Sequence, residues 1–277
     1  MTVSYRDFDL RYSCQVSELD DKLAGRFVAL EFDQATREFM DRASTARHSK
    51  WQGILHATLT HFMSDYDVNG VLNMYPMFLI AEAQWRRLLG NQLAAPPGRL
   101  FDIGAGSGDV TRELAPIFAS VHTAELSRPM ARRLRRQGFE CHGFDVSGQA
   151  VPGAPYQVVS CLNILDRCAR PLALLEHASE ALAPDGLLVL ATPLPFEPFV
   201  YRGAITAAPQ QQLQLSKQSW ERAASELVQL VQMRFPLSAR SLSRCPYLSW
   251  GDSARPLYML DDAVIVFEKT TSTAGTA

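Results

Sequence analysis

Two patterns of apolar and polar positions alternate along the chain from residue 99 onward. Short apolar runs bounded by turn residues predict buried strands, and apolar residues recurring every three or four positions predict helices. Their regular succession is typical of a parallel sheet with helices on both sides, and so of an α/β fold. The predicted strands cover 99–103, 120–126, 139–144, 156–162, 187–192, 237–244 and 263–269, and the predicted helices cover 110–118, 128–137, 171–182 and 219–233.

The residues before this alternation predict helices instead. Helical periodicity covers 33–44, 51–63 and 81–89, Asp67-Val-Asn-Gly70 carries turn residues, and 94–98 forms a Pro-rich linker. We therefore expect residues 1–98 to form an N-terminal helical region packed on a core domain over 99–269. The small polar residues of 270–277 predict a disordered tail.

Three segments of the core domain lack a clear period. Residues 193–201 are rich in proline and aromatic residues, and a Gln-rich stretch that we expect to be mobile continues to Lys217. The third segment, 245–262, is predicted to be a long loop, and long loops in compact domains are usually functional or disordered.

Composition narrows the function classes only a little. The 277 residues are 47% hydrophobic and 20% charged, which suits one large domain or a domain with an appendage. A net charge of -2 and a pI near 6.3 argue against nucleic acid as a partner. The arginines of 128–136 are interpreted as the solvated face of a helix.

The cysteines indicate the redox compartment and whether a metal site is present, and the lengths of the apolar runs indicate whether the chain spans a membrane. The five cysteines form no CxxC pair and no Cys/His cluster at zinc spacing, so we expect a reducing compartment and no metal site. The first residues lack the apolar core of a signal peptide, and no stretch approaches the ~20 apolar residues of a membrane span. The expectation is a cytoplasmic, monomeric protein without a membrane span.

The strongest candidate chemistry is the run Asp102-Ile-Gly-Ala-Gly-Ser-Gly108, at the end of the first core strand. Glycines allow unusual backbone angles and close approach of a ligand, and the following helix directs free N–H groups at that ligand. The Asp102 carboxylate would repel a phosphate, which favours an amino- or sulfonium-bearing ligand such as S-adenosylmethionine. A glycine-rich turn of structural use only is the alternative.

Acidic and amide residues follow the next strands at the rim where α/β sheets bind ligands. Glu125 stands where an acid accepts two ribose hydroxyls, and Asp145 stands where a carboxylate meets the exocyclic amine of adenine. A single strand-end acid is as readily a helix N-cap, but three in succession favour a cofactor. NAD fits less well, because the glycines are spaced GxGxG rather than GxGxxG and no second nucleotide-binding half follows.

Asn163 and Asp166 follow the fourth core strand, three residues apart. They can converge on one small polar group, or they can stabilise the local turn by bonding its backbone. Spacing alone leaves both interpretations open.

Several segments together resemble the methyltransferase-like protein 9 (DREV) family of protein-histidine methyltransferases. The resemblance covers most of the chain, from Leu30-Glu-Phe-Asp33 through 67–70 to Phe267. Its specific parts are 102–108, Ala124-Glu-Leu-Ser127, Ser160-Cys-Leu-Asn-Ile-Leu-Asp-Arg-Cys168, Leu194-Pro-Phe-Glu-Pro-Phe199, Pro246-Tyr-Leu248 with Gly251-Asp252, and Tyr258-Met-Leu-Asp-Asp-Ala-Val264.

The resemblance implies a Rossmann-like, seven-stranded class I methyltransferase sheet and transfer from S-adenosylmethionine, giving S-adenosylhomocysteine. The acceptor it implies is the Nπ (Nδ1) atom of histidine in His-x-His sequences of partner proteins. It implies catalytic roles for Asp166, Asn163 and Tyr258. The implied cofactor contacts are Asp102, Gly104, Ala105, Gly106, Glu125, Leu126, Asp145 and Asn163.

In that interpretation Asp166 accepts a hydrogen bond from Nτ–H and fixes the reactive tautomer, while residues 193–201 and 245–262 wall a peptide groove. Glu197 stands where animal relatives have a histidine, and Ser249-Trp250 replaces a Cys-Glu pair, so peptide selectivity is expected to differ. The animal proteins carry a secretory segment that is not seen here, so their location is not carried over. A small-molecule N- or O-methyltransferase and a non-catalytic cofactor-binding scaffold are the alternatives.

Overall fold

The computed structural model describes residues 8–45, 65–72, 74–90, 98–202, 205–251 and 255–270. An eight-stranded sheet lies at its centre, in the order β1-β9-β10-β6-β5-β2-β3-β4, and β7 and β8 form a separate hairpin. The strands are β1 (Met77–Phe78), β2 (Arg99–Ile103), β3 (Ser120–Ala124), β4 (Glu140–His142), β5 (Tyr156–Leu162), β6 (Leu182–Pro193), β7 (Val200–Arg202), β8 (Ile205–Ala207), β9 (Leu237–Trp250) and β10 (Leu257–Lys269).

Helices precede and separate these strands. They are α1 (Asp21–Ala24), α2 (Gln34–Thr45), α3 (Asp65–Leu72), α4 (Glu82–Leu89), α5 (Asp109–Leu114), α6 (Arg128–Arg136), α7 (Pro171–Glu180) and α8 (Trp220–Arg234). The helix starts follow local chemistry: the hydroxyls of Ser127 and Ser219 accept hydrogen bonds from backbone N–H groups in the first turns of α6 and α8.

The central strands are buried on both faces. Strands β6, β5, β2, β3 and β4 run parallel, and β10, β9 and β1 extend the sheet beyond β6 in antiparallel pairing. In β5, Val159 enters a core with α7 and α8, whereas Val158 enters a second core with α4 and α5. Helices on both faces explain the nearly continuous apolar runs of β5 and β6.

The sheet has eight strands rather than the seven expected, because the N-terminal region contributes one. The N-terminal region, predicted to be helical, also contains one short strand that the sequence did not predict: β1 pairs with β9, placing Phe78 opposite Leu248. Phe78 stacks on Phe39 of α2 at 5.3 Å between ring centroids. The division into an N-terminal region and a core domain stays a prediction.

The predicted loop over 245–262 is also wrong. Strands β9 and β10 pair from Leu257 opposite Trp250 to Lys269 opposite Leu237, so only residues 251–256 connect them. Polar residues in this segment made a loop the better prediction, but in the structure they have partners across the sheet. The Arg244 guanidinium donates to both carboxylate oxygens of Asp261, at 2.9 and 2.6 Å.

One shorter expectation fails: the predicted turn Asp67–Gly70 lies inside α3, where the Ser127 hydroxyl donates to the Asp67 carboxylate at 2.5 Å. The mobility expected of the Gln-rich stretch stays a prediction. Within this stretch the Gln211 side-chain oxygen accepts hydrogen bonds from the backbone N–H groups of Leu172 and Ala173. Gln211 thereby caps the start of α7.

Other predictions lie outside the described residues: the helix over 51–63, most of the linker over 94–98, and the tail beyond Thr270. Within the described ranges, no helix combines the length and apolar character that crossing a membrane requires.

Candidate functional site

The glycine loop between β2 and α5 has the backbone that its sequence predicts. Gly104, Gly106 and Gly108 have φ values of +70°, +56° and +80°, which L side chains rarely adopt. A Cβ atom on Gly104 would lie 2.3 Å from Cδ1 of Ile164. The loop and the segment after β5 are therefore in close contact, and a side chain at position 104 would force them apart.

Asp102 fixes the base of this loop. Its Oδ1 accepts a hydrogen bond from the Ser160 hydroxyl, and its Oδ2 accepts one from the Thr111 hydroxyl, both at 2.6 Å. Burial raises the pKa of Asp102 from 3.8 to about 6, although the two hydroxyl donors oppose this. The carboxyl group thus joins β2 to β5 and to α5.

Glu125 lies directly after β3 and is buried against the same loop. Its Oε2 accepts from the backbone N–H of Gly106 at 2.9 Å, and its Oε1 accepts from that of Ser127 at 2.8 Å. The backbone N–H groups of Gly104 and Ala105 donate to the carbonyl of Ala124, at 2.8 and 3.3 Å. The structure therefore brings Glu125 and the glycine loop together, as predicted.

Two further residues at this rim are open to solvent. The Leu126 side chain is 65% exposed beside the buried Glu125. Asp145 is exposed beyond the end of β4, and its Oδ1 accepts from the backbone N–H of Ser147 at 2.8 Å. The rim thus offers an apolar surface between a buried and an exposed carboxylate.

A second polar group lies after β5. Asn163 has a φ of +56°, and its amide Nδ2 donates to Oδ2 of Asp262 at 2.7 Å. Asp262 is completely buried on β10. Burial raises the pKa of Asp262 well above its ordinary value, although the hydrogen bond from Asn163 opposes this.

Asp166 lies three residues beyond Asn163, in a short 3₁₀ turn. Its side chain is 2% exposed and pairs with the guanidinium of Arg167. Burial raises the pKa of Asp166, and the Arg167 charge opposes this. The guanidinium lies 3.8 Å from the ring centroid of Phe199, whose backbone N–H donates to the Asp166 carbonyl at 2.9 Å.

Three buried oxygen atoms of this group lack a hydrogen-bond partner among the described residues: Oδ1 of Asn163, Oδ1 of Asp166 and Oδ1 of Asp262. Buried polar atoms are almost always satisfied in folded proteins. Three of them in neighbouring residues indicate a site that a polar ligand completes.

Tyr258 lies on β10, opposite Ser249 on β9, and its side chain is 42% exposed. It precedes Asp262 by four residues. Alternate residues of a strand share a face, so Tyr258 and Asp262 lie on the same face of β10, about 13 Å apart along the strand.

Asp262 is the residue of this site that the sequence analysis missed. Two features of the sequence could have identified Asp262. It belongs to the segment 258–264 that resembles the DREV family, and it is followed by the apolar residues of a strand. Placing 245–262 in a loop concealed it. The neighbouring Asp261 forms an ion pair with Arg244, whereas Asp262 accepts a hydrogen bond from Asn163.

The two positions that depart from the resembled family lie apart in the fold. Glu197 is exposed in the segment between β6 and β7. Trp250 ends β9, with its ring centroid 6.2 Å from that of Phe39, and its backbone N–H donates to the carbonyl of Pro76 at 2.9 Å.

Comparison with known proteins supplies the family context. A family model described as DREV methyltransferase matches residues 11–269. A 109-residue segment is 28% identical to ubiquinone biosynthesis O-methyltransferase of Xanthomonas campestris pv. campestris (strain B100), covering 36% of this chain and 45% of the relative. A 105-residue segment is 30% identical to the mitochondrial enzyme of that name from Schizosaccharomyces pombe, covering 34% and 37%. Less than half the length of each relative is spanned.

Two solved structures are similar in fold. One is the N-methyltransferase NodS from Bradyrhizobium japonicum WM9 in complex with S-adenosylhomocysteine, with 15% identity, a TM-score of 0.43 and coverage of 69% of this chain and 86% of that one. The other is a putative methyltransferase from Bacillus halodurans, with 12% identity, a TM-score of 0.49 and coverage of 69% and 99%. At these identities and TM-scores, neither structure supports a conclusion about the activity of this chain. The mixed α/β, mostly parallel sheet resembles the Rossmann-like class I sheet that was expected.

Proposed function

The chain belongs to the DREV methyltransferase family, and we propose that it is an S-adenosylmethionine-dependent methyltransferase whose acceptor is the Nπ atom of histidine in His-x-His sequences of other proteins. The observation that carries this proposal is the set of three buried, unpartnered oxygen atoms on Asn163, Asp166 and Asp262. A neutral imidazole ring can donate its one N–H group to one of these oxygens, and its other nitrogen keeps a free lone pair.

The cofactor fits the rim built by the glycine loop and the end of β3. S-adenosylmethionine, when bound, supplies a methyl group on a positively charged sulfonium sulfur. Glu125 would accept hydrogen bonds from the ribose hydroxyls, and the exposed Leu126 would cover an adenine face. Asp145 would take the adenine amine. The close approach of backbone at Gly104 and Gly106 keeps side chains out of this space.

Asp166 would determine which ring nitrogen of the acceptor histidine is free to react. Histidine is largely neutral near pH 7, with its single ring proton on either nitrogen. If Oδ1 of Asp166 accepts a hydrogen bond from Nτ–H, the proton stays on Nτ and the lone pair of Nπ is free to attack. The same carboxylate stabilises the positive charge that develops on the ring.

Arg167 would maintain the charge of Asp166 despite its burial. A buried carboxylate without a cation tends to take up a proton, and a protonated Asp166 would not favour the cationic product. The Arg167 guanidinium pairs with Asp166 and lies over the Phe199 ring, which holds the guanidinium in place. Proton loss from Nτ to Asp166 or to water then returns the methylated ring to its neutral form.

Asn163 and Asp262 would orient the ring. The hydrogen bond from Asn163 Nδ2 to Asp262 Oδ2 leaves Oδ1 of Asn163 as an acceptor. Precise placement of the lone pair in line with the transferred methyl group supplies much of the rate in such a reaction.

The residues flanking the peptide would be aromatic. Tyr201 is 61% exposed in β7, and its ring meets that of Phe199 edge to face at 5.3 Å between centroids. Tyr258 is exposed on β10, on the same face as Asp262. An exposed aromatic surface next to a polar pocket suits an extended peptide with one inserted side chain better than a small soluble acceptor.

A small-molecule acceptor is the second candidate. The observation that favours it is the identity of 28% over 109 residues to an enzyme named for ubiquinone biosynthesis. A small phenolic acceptor would be methylated on oxygen, and a peptide histidine on nitrogen, so the two candidates give different products.

The test offers both acceptor classes to the protein with isotopically labelled S-adenosylmethionine. The proposal expects label in a His-x-His peptide, little label in the matched Ala-x-Ala peptide, and loss of labelling in Asp166→Ala and Asn163→Ala. Glu180→Gln, an exposed position on α7, is the matched control and should label normally. Label confined to small molecules would overturn the proposal in favour of the second candidate.

A further inference from the structure

Three potential metal ligands meet at the edge of the sheet, away from the acceptor group. His122 lies on β3, and Glu140 and His142 lie on the edge strand β4. His122 is the register partner of Glu140 across the parallel pair β3–β4. Glu140 and His142 are two residues apart, so all three side chains project from one face of the sheet.

The separations between the ligand atoms suit a small cation. Nδ1 of His122 lies 3.5 Å from Oε2 of Glu140, and Nε2 of His142 lies 3.2 Å from Oε1 of Glu140. Ligand atoms at the usual 2.0–2.1 Å from a tetrahedral Zn²⁺ lie roughly 3.3–3.4 Å from one another. One atom from each residue can be chosen so that all three lie within 4.8 Å of one another.

The imidazole rings are held in place by an aromatic surface. The rings of His122 and His142 lie nearly parallel, with centroids 6.3 Å apart and an interplanar angle of 9°. The His142 ring stacks on Phe101 at 6.1 Å, and the His122 ring meets Tyr156 edge to face at 5.6 Å. Rings fixed in this way lose little further freedom when an ion binds, which favours affinity.

The group is also accessible. The side chains of His122 and His142 are 17% and 29% exposed, and that of Glu140 is 60% exposed. An ion can therefore reach the ligand atoms from solvent, and a water molecule can occupy a fourth position.

We propose that His122, Glu140 and His142 form a binding site for one Zn²⁺ ion, with a water molecule as the fourth ligand. Two imidazoles and a carboxylate match the ligand preference of Zn²⁺, whereas Mg²⁺ and Ca²⁺ prefer oxygen ligands only. The bound ion joins the edge strand β4 to β3. This site is independent of the proposed acceptor and goes beyond the methyltransferase activity.

The sequence alone does not predict this metal site, because the three ligands are distant from one another in the chain. His122 precedes Glu140 by 18 residues, and neither Cys pairs nor closely spaced histidines mark the site. Only the parallel pairing of β3 with β4 brings the three side chains together.

The test is calorimetric titration of the chelator-treated full chain with zinc chloride. The proposal expects a tight site, and His142→Ala and Glu140→Gln should each weaken it by at least about tenfold, by analogy with the loss of supporting residues at zinc sites. His177→Ala is the matched control, since His177 Nδ1 lies 2.5 Å from the Val146 carbonyl outside this group. It should leave the site unchanged.

A second readout separates binding at these residues from binding elsewhere. Cobalt chloride should give the visible absorption of tetrahedral Co²⁺ in the unaltered chain and in His177→Ala, and much weaker absorption in His142→Ala. Circular dichroism verifies that each variant is folded. Equal zinc affinity in the unaltered chain and in folded His142→Ala, or no zinc binding by the unaltered chain, would overturn the proposal.

Discussion

The amide nitrogen of Asn163 lies 2.7 Å from Oδ2 of Asp262, and this hydrogen bond joins residues that are 99 positions apart in the chain. It fixes the orientation of the Asn163 amide, because only Nδ2 can donate to the carboxyl group. Oδ1 of Asn163 is thereby left to accept a hydrogen bond from the acceptor or the cofactor. We therefore expect Asp262 to act through Asn163, as a positioning residue.

Replacing Asp262 tests this relationship. Asp262→Ala removes the partner of a buried amide, a loss of about 1–3 kcal/mol, so kcat should fall by roughly 5- to 150-fold. Asp262→Asn keeps an oxygen that accepts from Asn163 and should retain most of the activity. Steady-state kinetics with the peptide acceptor measures both.

The affinity for S-adenosylhomocysteine serves as the control for Asp262. A purely structural role would lower cofactor affinity and kcat together in both variants. The positioning role predicts unchanged cofactor affinity and rescue of kcat by the asparagine. Equal losses in Asp262→Ala and Asp262→Asn would contradict it.

The raised pKa of Asp102 should make the free energy of unfolding depend on pH. Its pKa is raised from 3.8 to about 6 by burial, so the native state holds a proton that the unfolded chain has already lost in this range. The contribution of Asp102 to the free energy of unfolding is therefore complete below pH 3.8 and is lost as the pH rises to about 6. The loss amounts to about 3 kcal/mol, at about 1.4 kcal/mol per pH unit.

Urea denaturation of the unaltered chain and of Asp102→Asn between pH 4 and pH 7 measures this effect. The asparagine variant should lack the part of the slope that Asp102 contributes, while other acids contribute equally to both proteins. Parallel stability curves for the two proteins would show that Asp102 titrates normally in the fold.

A side chain at position 104 should weaken cofactor binding, because it would clash with a neighbouring residue. Gly104→Ala adds a Cβ 2.3 Å from Cδ1 of Ile164, at a φ of +70°. Backbone strain of this kind costs about 1–3 kcal/mol, so affinity for S-adenosylhomocysteine should fall by roughly 5- to 150-fold. Calorimetric titration measures the change.

Ile164→Val in the same chain separates the two causes. Valine lacks the Cδ1 atom that meets the added methyl group, so the double variant should recover part of the affinity and retain the loss due to φ. No recovery would mean that the backbone angle alone is responsible.

Replacing Glu125 should lower the affinity for the cofactor while the protein stays folded. Glu125→Gln keeps an oxygen for the backbone N–H of Gly106 or Ser127 but removes the charge. Charged hydrogen bonds are worth about 1.5–3 kcal/mol, so S-adenosylhomocysteine should bind roughly 10- to 150-fold more weakly. Glu180→Gln should bind it normally, and equal affinity in all three proteins would exclude Glu125 from the cofactor site.

The parts of the fold predicted from sequence are those whose cause is local. Strand β5 has the predicted bounds, 156–162, because a short, mostly apolar run that is bounded by turn residues and contains Val158 and Val159 favours a buried strand. Helix α6 begins at Arg128 as predicted, and the Ser127 hydroxyl before it accepts a hydrogen bond from a backbone N–H only three residues away. The glycine loop and Glu125 also come together as the alternation of strands and helices implies.

The parts that sequence did not reveal depend on partners far along the chain. Strands β9 and β10 carry Arg244, Asp261 and Asp262, which suggest a solvated loop until their pairing partners are known. The Arg244–Asp261 pair forms only across the sheet, and Asp262 is buried against Asn163 of another strand end. Spacing therefore could not decide whether Asn163 stabilises a turn or serves a site.

The most direct measurement is the identity of the methylated nitrogen in a His-x-His peptide after reaction, determined by NMR of the purified product. Nπ-methylhistidine is the expected product if Asp166 holds the proton on Nτ. Asp166→Asn should lower kcat by about 100- to 1,000-fold, as expected for loss of a preorganised charge, while S-adenosylhomocysteine still binds. Nτ-methylhistidine as the main product, or full activity in Asp166→Asn, would contradict the proposal.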